Sequence, residues 1–271
     1  MQITHDFHIH TSLSLCGDPS ATVENYRATA QKLGLKKIGF SDHFWDERIS
    51  TAHLSQMGKD FYVPQNYPYI CQLRPQLAAQ NWGNTKVYFG AEVDYDLRRR
   101  DLCITEETAE QLDFLLVPNS HTHLIMPRDC YQPYQKHLDF MVQIFEDTLN
   151  SPVSKYVTAM AHPFEAVCCP YDNNILMHML PEDTLKRLCA KAAEKGVAYE
   201  INVSAIRGKT EAQIADWAQM RLFRIAKEAG CKFIFGSDSH SAWAHDTWAH
   251  DTDVVSKLLG LTENDFHPIT R

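Results

Sequence analysis

No surplus of positive charge exists along this chain: 26 Lys and Arg face 34 Asp and Glu, a formal net charge of −8. Binders of nucleic-acid backbone cluster Lys and Arg on one face, so no nucleic-acid partner is expected. No apolar run reaches 18 residues, and no basic segment with an apolar stretch behind it precedes the first strand, so no membrane partner is expected and the chain reads as cytoplasmic. The eight cysteines contain no Cys-x-x-Cys pair and no dense framework, which excludes a zinc ribbon or a disulfide scaffold and leaves reduced thiols. No Gly-x-Gly-x-x-Gly follows the first strand, so a dinucleotide fold is excluded as well.

What is present is an alternation. Short apolar runs at 3–9, 37–41, 86–92, 113–119, 156–161, 197–203 and 232–237 are too brief for helices and read as strands. Between them lie helical stretches. Residues 22–33 begin at Thr22 as N-cap and stop at Gly34; 181–195 begin at Pro181 and stop at Gly196; 211–229 end at Gly230. Strand–helix repetition of this length makes a parallel α/β sheet, and seven units favour closure into a distorted seven-stranded (β/α)7 TIM-like barrel. With no linker in its 271 residues, the chain reads as one domain, 1–271.

The strand ends carry the chemistry. Each run finishes in His, Asp or Glu: His8 and His10 in DFHIHTS, Asp42 and His43 in GFSDH, Glu92 in GAEVDY, His121 and His123 in NSHTH, His162 in AHPF, Glu200 in YEIN, and Asp238 and His240 in GSDSH. In a barrel of parallel strands all such ends face one mouth, so these groups would converge. Imidazole and carboxylate suit zinc, manganese or iron and leave open coordination positions. Glu92 can give one oxygen to each of two ions, and two ions about 3.5–4 Å apart can hold a bridging hydroxide and clamp a phosphate.

The motifs HIHTSLS, GFSDH, GAEVDY, AHPF, EIN and GSDSH resemble, in order and over essentially the whole chain, those of the polymerase and histidinol phosphatase (PHP) superfamily, and most closely its histidinol-phosphate phosphatase branch. The resemblance implies two to three divalent ions. The first would take His8, His10, Glu92 and Asp238, the second Glu92, His121 and His162, and the third His43 and His240. Many relatives have a histidine where this chain has Cys16, so the third ion would be held by Cys16 as a thiolate or by Asp18, or held weakly.

His121 is favoured over His123 as the ligand, with His123 near the mouth to touch substrate or protonate the leaving group. Glu200, Asp6 and Asp42 read as supports that orient ligands. Arg207 and Arg128 are candidates to grip phosphate oxygens. The expected activity is that of a phosphomonoesterase on a small phosphate ester, with Glu92, Asp238 and His123 at the reaction centre. The alternatives are a metal-dependent amidohydrolase and a barrel that binds metal without catalysis. Insertions at 44–85 and 122–150 either shape substrate access or pack over the rim. The tandem WAHDT at 243–252 reads as a loop and helix start capped by Asp and Thr rather than a second metal site, with Trp243 and Trp248 placed to cover the pocket.

Overall fold

The computed structural model describes residues 1–125, 133–165 and 172–271. Among them, β1 (His5–Asp6), β2 (Lys37–Phe40) and β4 (Lys86–Phe89) form a parallel three-stranded sheet in the order β1-β2-β4. A second parallel sheet comprises β3 (His43–Phe44), β5 (Ala91–Val93), β8 (Leu115–Pro118), β9 (Val157–Ala161), β10 (Ala198–Asn202) and β11 (Phe233–Gly236) in the order β11-β10-β9-β8-β5-β3. β6 (Tyr95–Asp96) and β7 (Asp101–Leu102) make a small antiparallel ribbon. The protein is thus α/β with parallel sheets, but its strands do not number seven.

The expected strand 86–92 is broken, and the expected strand 37–41 ends at Phe40, ahead of a further short strand. β2 gives way to β3 and β4 to β5, while the register that pairs Phe40 with Phe89 resumes at His43 and Glu92. The break coincides with Phe114, whose ring fills the space beside two glycines: a Cβ on Gly39 or Gly90 would lie 2.7 Å or 2.5 Å from it. The amide of Gly90 still reaches Phe40 O at 2.8 Å, and that of Glu92 reaches Asp42 O at 3.1 Å. At the other side, Phe7 N donates to Phe235 O (3.1 Å) and His10 N to Ser239 O (2.9 Å).

The helices follow their caps. Val23–Leu33 begins where the Thr22 side chain accepts from Asn25 N and ends at Gly34 in the left-handed region (φ 68°). Glu182–Lys195 ends in the same way at Gly196 (φ 73°). The expected helix 211–229 is instead two, Glu211–Ala215 and Gln219–Glu228. Between them the bonds tighten to three-residue turns, and Trp217 is turned inward against the edge of Phe223 (5.4 Å). No helix among the described residues is long and apolar enough to cross a membrane.

Phe7, Phe114, Leu116, Ala159, Ala198 and Ile234 form one buried cluster, and a larger one, including Tyr26, Leu188 and Phe223, joins strands to helices. Each Leu, Ile or Phe among them contributes about 1.5–3 kcal/mol by burial. The 44–85 insertion holds helices at 56–62, 67–70 and 73–78; within it Tyr62 is buried against Trp45 (5.0 Å), and Phe61 lines the cleft described below.

Candidate metal centre

Successive residues of an extended chain alternate faces, so His8 and His10 share one. Both are fully buried, and their Nε2 atoms face each other at 3.0 Å. Glu92 lies in β5 and stands at the middle of the cluster. Its Oε1 lies 2.9 Å from His162 Nε2 and 3.6 Å from the Nε2 atoms of both His8 and His121; its Oε2 lies 3.0 Å from His43 Nδ1 and 3.5 Å from His10 Nε2. Asp238 Oδ1 completes the group at 3.6 Å from His8 and 3.4 Å from His10. His240 stacks on His10 with ring centres 4.1 Å apart.

Donor atoms within 4.8 Å of one another fall into overlapping sets: His8, His10 and Glu92; His8, His162 and Asp238; Glu92, His121 and His162; His10, His43 and His240; and His43, Asp94 and His121. The Cys16 thiol lies against the imidazoles of His240 and His43, at the cleft mouth. The Asp18 carboxylate is turned to the amide of Ser20 (2.8 Å).

Behind the inner atoms sits a ring of orienting contacts. His8 Nδ1 meets Glu200 Oε1 at 2.7 Å, and the other Glu200 oxygen accepts from the amide of His162 (2.6 Å). That approach depends on Gly236, where a Cβ would stand 1.8 Å from Glu200 Oε1. His162 Nδ1 meets Ser120 Oγ at 2.5 Å, and His10 Nδ1 meets Ser14 Oγ at 3.2 Å. Ser14 in turn donates to Asp42 (2.7 Å), so Asp42 reaches the cluster through a hydroxyl. Asp6 accepts from the amides of His8 (3.1 Å) and Ser237 (3.0 Å). Holding one imidazole nitrogen in this way turns the other toward a ligand.

Asp94 plays the same part for His121, Oδ1 to Nδ1 at 3.2 Å, and sequence reasoning missed it. The signal was available: two residues past Glu92 on a strand is the same face. The choice between His121 and His123 turns on a helical turn, Thr122–Ile125, which starts directly after His121 because β8 ends at Pro118. Both rings line the cleft, 5.8 Å apart, but it is His121 that faces Glu92.

The electrostatics are those of a buried acid–imidazole cluster. Burial opposes ionisation of Glu92, but His121, His8 and His43 outweigh it and hold the carboxyl well below its usual range; Asp238 is held down likewise by His8, His10 and His162. Burial also opposes charge on His162, yet Glu92 raises it to about 9. Burial pushes His123 down to about 4, with His121 adding to the effect, so it is neutral near pH 7. Burial would raise the Cys16 thiol, but hydrogen bonding to His240 and His43 brings it down to about 6.

This donor set fits divalent cations. Asp94 Oδ2 and His123 Nδ1 are buried without hydrogen-bond partners, each at a cost of about 1–3 kcal/mol if nothing else binds there, and Glu92 Oε2 and His43 Nδ1 face each other at 3.0 Å without forming a hydrogen bond. Among the described residues no Lys or Arg pairs with Glu92 or Asp238. Strain points the same way: His162 (φ 26°), Phe164 (φ 60°) and Asp238 (φ 48°) hold positive φ at the site, a conformation that costs about 1–3 kcal/mol per residue.

The cleft above the cluster measures about 230 Å³ and is lined by Cys16, His43, Phe61, His121, His123, Leu124, His162, Asp238 and His240. Arg207 is exposed and does not line it; its guanidinium donates to Ser237 O (3.4 Å), beside Asp238. Arg128 lies outside the described residues. His245 is buried on Asp6 (2.6 Å), and His250 is exposed, so neither joins the metal-type sets. Trp248 does not cover the cleft either. It is buried, edge-on to Phe235 (6.4 Å), and Thr247 caps no amide at the helix start.

Parallel strands that gather imidazoles and carboxylates at their C-terminal ends define a metal-binding α/β protein. The PHP domain profile matches residues 6–264, and the chain belongs to that family. No curated protein sequence matches it. Among solved structures, a histidinol phosphate phosphatase from Lactococcus lactis subsp. lactis, complexed with Zn, L-histidinol and phosphate, is similar with a TM-score of 0.61 at 19% identity, covering 96% of this chain and 95% of that one. A putative histidinol phosphatase from Listeria monocytogenes is similar with a TM-score of 0.67 at 14% identity, covering 90% and 99%. At these identities the likeness concerns the fold. Family and donor cluster together support a metal-dependent hydrolase that binds divalent ions.

Proposed function

We propose that this protein is a phosphomonoesterase of histidinol-phosphatase type, acting on a small phosphate ester. The observation that carries the reading is the position of Glu92, one carboxylate whose two oxygens face separate sets of imidazoles. The solved relative holds Zn and phosphate together, which supports the choice of substrate class. The fold reading that accompanies it is a distorted seven-stranded barrel: the broken strands count as two, and bonds between residues 7–10 and 235–239 join the first strand to the last.

Two or three zinc, manganese or iron ions would be held by His8, His10, His43, Glu92, His121, His162, Asp238 and His240, with Cys16 outermost. When bound they would supply Lewis acidity toward phosphate and water. The chain's own groups do the rest. Glu200, Asp94, Ser120 and Ser14 fix which imidazole nitrogen faces inward, and Asp238 presents a carboxylate to the cleft. His123, neutral at the mouth, is placed to hydrogen-bond the ester or leaving oxygen. Arg207 would have to turn from Ser237 O into the cleft to grip phosphate oxygens, and Arg128 is a candidate for that grip by its sequence position alone. Phe61 and Leu124 exclude water from one side of the cleft.

The test is Glu92→Gln with metal content measured beside turnover of p-nitrophenyl phosphate. The expected outcome is loss of activity together with loss of bound ions. Full activity with metal retained would refute the central role of Glu92. Turnover of amides or lactones in place of the phosphate ester would make the protein an amidohydrolase, and tight metal binding without any turnover would make it a non-catalytic module.

A further inference from the structure

The cluster is not uniform from bottom to top. His8, His10 and Glu92 are sealed from solvent, whereas the His240 side chain is 32% exposed and Cys16 is exposed. The donors change along the same direction. Inner positions offer nitrogen and oxygen; at the outer one, His10, His43 and His240 are grouped, but His10 is committed inward, its Nδ1 on Ser14 Oγ and its Nε2 facing His8 and Asp238. Two nitrogens remain there, the Nε2 atoms of His240, whose Nδ1 is on Asp238 O (3.0 Å), and of His43, whose Nδ1 faces Glu92 Oε2 (3.0 Å). Asp18 is spent on Ser20. Among the described residues, the further donor that lines the cleft beside both rings is the Cys16 sulfur.

We propose that the outer cation position is a nitrogen–sulfur site completed by the Cys16 thiolate, which takes thiophilic ions such as zinc or cobalt and discriminates against manganese. The inner nitrogen–oxygen positions accept either kind. The physical reason is ligand softness: thiolate binds zinc and cobalt well and manganese poorly, while imidazole and carboxylate discriminate less. Three protein donors with a solvent-facing fourth position is also the arrangement of an open zinc site. The inference rests on the metal-dependent reading above and adds to it a selectivity and an exchangeable outermost ion.

Cobalt reconstitution tests it without reference to turnover. The metal-free protein is titrated with Co(II), bound ions per chain are counted by elemental analysis, and the near-ultraviolet sulfur-to-cobalt charge-transfer band is recorded. The native protein should show the band; Cys16→Ser should lose it together with one ion per chain. Cys71→Ser, a change at a partly buried thiol elsewhere, should keep both. Cys16→His should regain the ion without the band and admit manganese at that position, whereas the native protein should hold one ion fewer with manganese than with zinc.

Cobalt bound without a band, or a band that survives in Cys16→Ser, overturns the inference and leaves the metal-dependent reading standing. Manganese filling every position of the native protein removes the selectivity. A native protein that binds no cobalt at all overturns both.

Discussion

The pentapeptide WAHDT occurs twice in succession, at 243–247 and 248–252, and its two copies meet opposite fates. Trp243 is 58% exposed and Trp248 3%; Ala244 is buried and Ala249 exposed; His245 is buried and His250 exposed; Asp246 is exposed and Asp251 buried. The first copy runs through successive three-residue turns, and the second is the first turn of the helix Trp248–Leu259. Even within one helix a five-residue step rotates the side chain by about 140° past a full turn, so identical residues could not share a face. Identical local sequence therefore carries no identical role: position relative to the strand ends decides which histidine supports the metal cluster.

That contrast is open to attack at each pair. The largest difference is expected at the tryptophans, where Trp248→Ala should cost about 3–5 kcal/mol through the cavity it leaves, whereas Trp243→Ala should stay within about 0.5 kcal/mol. Urea unfolding midpoints read both, and equal losses would mean that the two environments are alike.

Next come the histidines. His245→Ala removes the partner of Asp6, a buried carboxylate that also holds the amides of His8 and Ser237. Leaving that acceptor short costs about 1–3 kcal/mol. Metal affinity should fall with it, as happens when supports behind ligands are removed, by roughly 10–100-fold. His250→Ala loses one exposed contact to Lys209 O (3.2 Å) and should bind metal as the native chain does. Matching affinities in the two variants would detach His245 from the site.

The smallest effect concerns the aspartates and is a pH dependence. Burial raises the Asp251 pKa, against hydrogen bonds from Thr247 and Gly208 that lower it. A carboxyl whose native value lies above its unfolded value binds its proton more tightly when folded, so its contribution to stability is greatest at low pH and declines as pH rises through the native value. Asp251→Asn should flatten that part of the stability profile relative to the native chain. Superimposable profiles for native protein and Asp251→Asn would cancel the assigned shift.

Much of the site was legible because it is written at strand ends. His8, His10, His43, Glu92, His121, His162, Asp238 and His240 could be found without coordinates, since a short apolar run marks where each residue emerges. Asp94 was missed although it shares the face of Glu92, and Ser14 and Ser120 were missed because a lone serine carries no signature. The helix expected over 211–229 breaks in two where Trp217 is drawn into the core shared with distant segments, a preference that no local propensity encodes.

Taken by itself, the sequence determined the alternation of strand and helix, the helix ends at Gly34 and Gly196, and the family, because apolar period, capping and motif order are local properties of the chain. Only the tertiary structure decided that strands 37–44 and 86–93 break around Phe114, that Gly236 opens the path from Glu200 to His8, and that His245 rather than His250 backs Asp6. These depend on which atoms from distant segments compete for the same few ångströms, and no window along the chain contains that competition.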